Sequence, residues 1–154
     1  MPLFTSKVEY ALRAVVDLAS HPSHGAIQSR EIATRQAIPE SYLDQLLSAL
    51  RRAGLVRSIR GAAGGYTLGK AANLITVGDV IRAFEGGPLA GDIASARASG
   101  APPHRGDRGT DAAVTRVRQR VQEAVRAVIE GTTIRDLVAE KQRLDETQSL
   151  MAGI

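Results

Sequence analysis

The chain has 154 residues, 44% of them apolar and 23% charged. That is ordinary for a soluble globular protein, with room for one core and an appended element. It has no cysteine, which excludes disulfides, thiolate metal sites and a thiol nucleophile. Basic residues number 20 against 16 acidic ones, a formal charge of +4, and a mildly basic surface suits a polyanionic partner.

Lys7, Lys70 and Lys141 are the only lysines. Every other basic residue is arginine, whose planar fork matches phosphates and guanine edges. No apolar run reaches the roughly 18–20 residues that span a bilayer. Glu9, Arg13 and Asp17 interrupt the N-terminal stretch, so no signal peptide is expected and the cytoplasm is the expected location.

A first helix is predicted to start at Thr5 or Ser6, either of which can cap it. Val8, Ala11, Leu12, Val15, Val16 and Ala19 recur along it at helical spacing, and Pro22 and Gly25 end it. A short helix follows, capped by Ser29, with Ile32 and Ala33 facing inward. Residues 36–39 turn the chain into a third helix over residues 40–53. There Leu43, Leu46, Leu47 and Leu50 form one buried stripe, and Gly54 stops the helix. Its outward face carries Ser41, Tyr42, Asp44, Gln45, Ser48, Arg51 and Arg52.

Residues 55–60 and 66–68 read as two strands joined by the glycine-rich tip at residues 61–65. A hairpin directly after a helix-turn-helix is a wing. A phosphate cradle is the rival reading of the glycines. It fails because no Lys-Ser/Thr follows Gly65 and the chain continues as a strand. Thr76 with Asp79 forms a capping box for a helix bearing Val77, Val80, Ile81 and Phe84.

Three regions result. Residues 1–86 form a winged helix-turn-helix domain, and residues 87–110 a Gly-, Ala-, Ser- and Pro-rich loop. Residues 111–154 are helical again. In the last region Val114, Val117, Val121, Ala124 or Val125, and Val128 repeat at threes and fours, a narrow seam suited to a second helix. The seam reads either as intramolecular core or as a dimer contact, and the dimer is preferred because a lone stripe after a loose loop has little else to pack on. Thr133 caps a final helix through Ile134, Leu137 and Val138. The fold class is therefore mainly α with a small β-wing and a long dimerisation helix.

The short helix, turn and third helix form the unit that lays one helix in a major groove about 12 Å wide. Gln45 can pair with adenine and Asp44 can accept from cytosine N4. Arg60, beside Gly61, can enter the minor groove or clamp a phosphate. The candidate DNA-contacting set is Ser41, Tyr42, Asp44, Gln45, Ser48, Arg51, Arg60, Gly61, Gly64 and Gly65. The candidate dimer set is Val114, Val117, Val121, Val125 and Val128. No catalytic motif occurs, so no enzyme, metal or cofactor is expected. His21, His24 and His104 read as surface or loop histidines, and carboxylates spread along helix faces read as solvated ion pairs.

Five segments together resemble the IscR-like family of bacterial winged helix-turn-helix transcription regulators (IscR, NsrR, RirA, CymR). They are T-S-K-x-E-Y-A-L-R-A at 5–14, I-P-E-S-Y-L-D-Q-L-L-S-A-L-R-R-A-G-L-V at 38–56, S-I-R-G-A-A-G-G-Y-T-L at 58–68, I-T-V-G-D-V-I-R-A at 75–83 and E-G-T-T-I-R-D-L-V at 130–138. The resemblance spans nearly the whole chain except the loop and the last dozen residues. It implies a homodimer crossed through a long helix near residues 111–129. It also implies base contacts from Ser41, Tyr42, Asp44 and Gln45, and a minor-groove role for Arg60.

Many members hold an iron–sulfur cluster through three cysteines in the loop. This chain has none there, so no cluster is expected. The expected function is a homodimeric regulator, with repression as the expected sign, on a palindromic double-stranded operator. The alternative is control through a partner protein, small molecule or metal at the loop and dimer region, with His104 and Asp107 as candidate donors.

Overall fold

The computed structural model describes residues 4–84 and 106–153. His104 and residues 87–105 of the expected loop lie outside the described residues. Helix α1 spans Ser6–Ser20, α2 Ser29–Gln36 and α3 Glu40–Arg52; β1 spans Val56–Ile59 and β2 Gly65–Leu68. Helix α4 spans Val77–Arg82, α5 Arg108–Gly131 and α6 Ile134–Ala152. Short 3-10 turns at Pro22–His24 and Ala72–Leu74 punctuate the chain.

Helix boundaries follow from local chemistry. Thr5 caps α1, its hydroxyl accepting from the Val8 N–H. The expected Ser29 cap for α2 is displaced by one residue. Gln28 holds the cap position without a side-chain bond, and Ser29 is already helical. Helix α3 ends in a Schellman motif: the Leu55 N–H donates to the Leu50 carbonyl at 3.0 Å and the Gly54 N–H to Arg51 at 2.9 Å. Asp107 starts α5 by accepting from the Gly109 and Thr110 N–H groups, so that helix begins at Arg108, three residues before residue 111.

The core lies where α1, α2 and α3 cross under the wing. Val15, Ile32, Leu43, Leu47, Leu50, Val56, Ile75, Val80 and Ile134 are buried there. Each fully buried aliphatic side chain contributes on the order of 1.5–3 kcal/mol. A second cluster of Val8, Val77, Ile81 and Ile129 joins α1 and α4 to the end of α5, with Val125 packed against it.

One carboxylate departs from the solvated-pair expectation. Asp17 is only 1% exposed. Arg35 donates to it from Nε at 2.9 Å and from Nη2 at 2.8 Å, and Gln36 from Nε2 at 3.1 Å. The residues are 18 and 19 positions apart, so this buried clamp pins α2 onto α1. The Asp17 carboxylate in turn holds the Arg35 guanidinium more firmly charged.

The wing strands pair antiparallel, Val56 opposite Leu68 and Ile59 opposite Gly65. Ile27 adds a third rung: its N–H donates to the Tyr66 carbonyl at 2.9 Å and its carbonyl accepts from Tyr66 at 2.7 Å. The wing is thereby tied to the chain just before α2. At the other end, twin capping boxes at Thr76–Asp79 and Thr133–Asp136 meet through the Thr76–Thr133 bridge. Bonds from Val77 to Thr132 at 2.9 Å and from Ile134 to Ile75 at 2.8 Å close that junction. Among the described residues no helix is long and apolar enough to cross a membrane.

Candidate nucleic-acid interface

Helix α3 turns its leucine stripe inward, which forces Ser41, Gln45 and Arg52 to the opposite side. Asp44 and Arg51 flank them and are exposed as well, while Ser48 is half-buried. Tyr42 is not a free outward side chain. It is half-buried, packs on the core, and meets the Tyr10 ring edge-to-face at 5.8 Å and 84°.

Beside the first turn of α3 stands the wing tip. A cleft of about 290 Å³ is lined by Glu40 of α3, by Gln28, Ser29 and Arg30 at the start of α2, and by Ile59, Gly61, Gly64, Gly65 and Tyr66 of the wing. The tip and the start of α3 therefore share one edge of the molecule. Arg60 and Gly61 are exposed at the tip.

Gly64 and Gly65 are half-buried, and geometry accounts for their being glycine. Gly65 has φ 149°, and a Cβ there would run into the Ile27 carbonyl. Only a residue without a side chain lets β2 approach the Ile27 rung this closely.

Nothing in the sequence singles out Arg30. It sits in the first turn of a short helix, where nothing local distinguishes it from a solvated charge. Its position on the cleft comes from the Ile27–Tyr66 pairing, a contact across 39 positions of chain. Among the described residues, Arg30, Arg51, Arg52, Arg57 and Arg60 enter no salt bridge, so their guanidinium groups are free for an external anion.

On α5, Val114, Val117, Val121 and Val128 are 57–65% exposed. The expected seam needs one correction. Val125 packs against its own chain's second core cluster, and Ala124 is the exposed residue that continues the three-four alternation from Val121 to Val128. The last three turns of α5 thus present one face to α4 and the opposite face outward.

Arg82 of α4 fixes the inner face. It donates to Asp79 at 2.8 Å and to both oxygens of Glu130. These carboxylates hold Arg82 strongly protonated, Glu130 contributing most. Arg82 in turn keeps the Glu130 carboxyl below its ordinary range. Burial works against ionisation of Asp79, but hydrogen bonds from Thr76 and Arg82 outweigh it and lower its pKa.

His21 is half-buried with Nδ1 2.8 Å from the Asp17 carbonyl, and its ring meets His24 edge-on. Among the described residues no three His, Asp or Glu side chains converge as a metal site. Asp107 is spent on capping α5, and Thr110 and Gly109 hold its carboxyl below the usual range.

Residues 4–140 match the Rrf2 family model, described as an iron-dependent transcriptional regulator. An IscR from Pectobacterium carotovorum subsp. carotovorum is 39% identical over 142 residues, covering 92% of this chain and 82% of that protein. A CymR from Bacillus subtilis is 36% identical over 135 residues, with 88% of each chain covered. The solved structure of the B. subtilis global cysteine regulator CymR superposes with a TM-score of 0.73 at 36% identity, covering 91% of this chain and 98% of that one. The sequence has no cysteine, so it offers no thiolate to hold an iron–sulfur cluster. The chain belongs to the Rrf2 family of winged helix-turn-helix transcriptional regulators.

Proposed function

We propose that this protein is a sequence-specific, homodimeric DNA-binding regulator that carries no iron–sulfur cluster and acts as a repressor from the cytoplasm. Residues 1–86 read the DNA, and residues 111–154 join two copies. The observation that carries this reading is the cleft that sets the glycine tip of the wing beside Glu40 in the first turn of α3, with Arg30 in its wall, while Ser41, Asp44, Gln45 and Arg60 are exposed.

In this reading α3 enters the major groove. Ser41, Asp44 and Gln45 reach base edges, while Ser48 and Arg51 border the contact. Tyr42 serves mainly to seat the helix against Tyr10. Arg60 enters the adjoining minor groove or clamps a phosphate, as Arg30 can from the start of α2. Gly61, Gly64 and Gly65 act by shaping the tip rather than by contact of their own.

The valine seam of α5 supports pairing of two copies. A row of half-exposed valines at heptad spacing loses contact with water when a second helix lies along it. A two-fold dimer then places two α3 helices on a palindromic operator. Selection of bound fragments from the source genome tests the proposal. A recovered palindrome with half-sites one helical turn apart, or a multiple of it, supports the reading. Recovery of random fragments contradicts it.

A further inference from the structure

A second concavity lies on the other flank of α3. Its volume is about 740 Å³, and its walls come from the first turn of α1, from α3 and from the end of α4. This is the size range of small-molecule sites. Lys7, Arg52 and Arg82 bring three cations to its rim, and among the described residues no carboxylate lines it. Leu46, Ala49 and Phe84 supply apolar wall, and Tyr42 and Gln45 add polar groups.

The charges are not explained by local stability. Lys7 stands in the first turn of α1, where the helix dipole disfavours a cation. Among the described residues neither Lys7 nor Arg52 enters a salt bridge. Arg82, by contrast, is held in place by Asp79 and Glu130. The charge of Arg82 is thus compensated, which leaves Lys7 and Arg52 as the two unpaired cations on a partly apolar hollow, and an anion placed there gains their attraction without displacing a partner.

We infer that this groove is a binding site for a small organic anion with an apolar body, of the aromatic or branched aliphatic carboxylate class. The carboxylate sits by Lys7 and Arg52, and the body lies on Ala49 and Phe84. Gln45 and Tyr42 belong to α3, so an occupant alters the surface that α3 offers to DNA. That consequence rests on the proposed DNA-reading role. The binding itself does not, and is measured without DNA.

The test titrates the full chain with 4-(trifluoromethyl)benzoate, followed by fluorine NMR and calorimetry, with the neutral 4-(trifluoromethyl)benzamide in parallel. Saturable binding of the carboxylate is expected, with the amide at least about tenfold weaker, a ratio worth about 1.4 kcal/mol. The double variant Lys7→Gln/Arg52→Gln is expected to bind the carboxylate at least about tenfold more weakly at an unchanged thermal midpoint. Arg116→Gln, on exposed α5, is expected to bind like the parent protein. The inference is overturned by absence of saturable carboxylate binding, by equal affinity for the amide, or by equal loss in Arg116→Gln. The amide comparison uses the parent protein alone, so it decides the matter even if the double variant folds poorly.

Discussion

The Glu130 carboxylate lies directly over Gly78, in the space that a Cβ at position 78 would occupy. From there it reaches the Arg82 guanidinium one turn along α4, which also holds Asp79. A helix of the winged helix-turn-helix part is thereby latched to the end of the long helix that carries the valine seam. Any signal arriving at α5 has a short mechanical route to α4 and α1. Glu130→Gln is expected to cost only about 0.5–1 kcal/mol, because Arg82 and Glu130 are 56% and 38% exposed.

That cost is expected to depend on pH. Glu130 titrates below its ordinary value of 4.5 in the folded chain, Arg82 being the main cause. A carboxyl depressed by folding stabilises fully above its unfolded pKa, and the contribution is lost as pH falls through the folded pKa. Urea unfolding at pH 7 should therefore separate the parent and Glu130→Gln, and the gap should close as pH falls below about 4.5. A gap that widens in acid would show that the latch is not ionic.

Arg35→Ala leaves the buried Asp17 with Gln36 as its one remaining side-chain donor. The expected loss is about 2–3 kcal/mol, since hydrogen bonds to a buried charge are broken and the charge is stranded. Part of the Arg35 side chain reaches solvent, which keeps the cost below that of a fully buried pair. Thermal unfolding measures it, and a loss under about 0.5 kcal/mol would remove the clamp from the account.

Gly65→Ala forces a methyl group toward the Ile27 carbonyl at a positive φ. A destabilisation of about 2 kcal/mol or more is expected, with loss of amide-exchange protection at Ile27 and Tyr66. Unchanged protection at those two amides would mean the wing is not anchored through that rung.

Val121→Glu and Val125→Ala separate the two faces of α5. The first puts a charge on the exposed seam and is expected to give a monomer by sedimentation equilibrium with little change in monomer stability. The second thins the packing against Val8, Val77 and Ile81, and is expected to cost about 1 kcal/mol without changing the oligomeric state. The reverse pattern would place the dimer contact on the other face.

Much of the fold is readable from local signals. The leucine stripe of α3, the Thr76–Asp79 box and the glycine tip each depend on residues within a few positions; the first two occur where the pattern puts them, and the tip is shifted by one residue, Arg60 leaving β1 and Gly65 joining β2 opposite Ile59. What the pattern leaves open depends on contacts distant in sequence. Ala124 and Val125 both fit a three-four alternation, and only the docking of α4 decides which turns inward. Tyr42 reads as polar-face until Tyr10, 32 positions away, is seen against it. Asp17 looks like any helix-face carboxylate until Arg35 and Gln36 cover it, and Arg30 gains its place only through the wing anchor.

The most direct test of the central claim is the affinity of the protein for its selected palindrome, measured across a salt series for the parent, Arg60→Ala and Gln45→Ala. The account predicts a steep fall of log affinity with log salt. Arg60→Ala should weaken binding and flatten that slope by about one unit if it clamps a phosphate. Gln45→Ala should lose about 1–3 kcal/mol of discrimination at one base position in each half-site. Parent-like affinity and base preference in both variants would contradict the account.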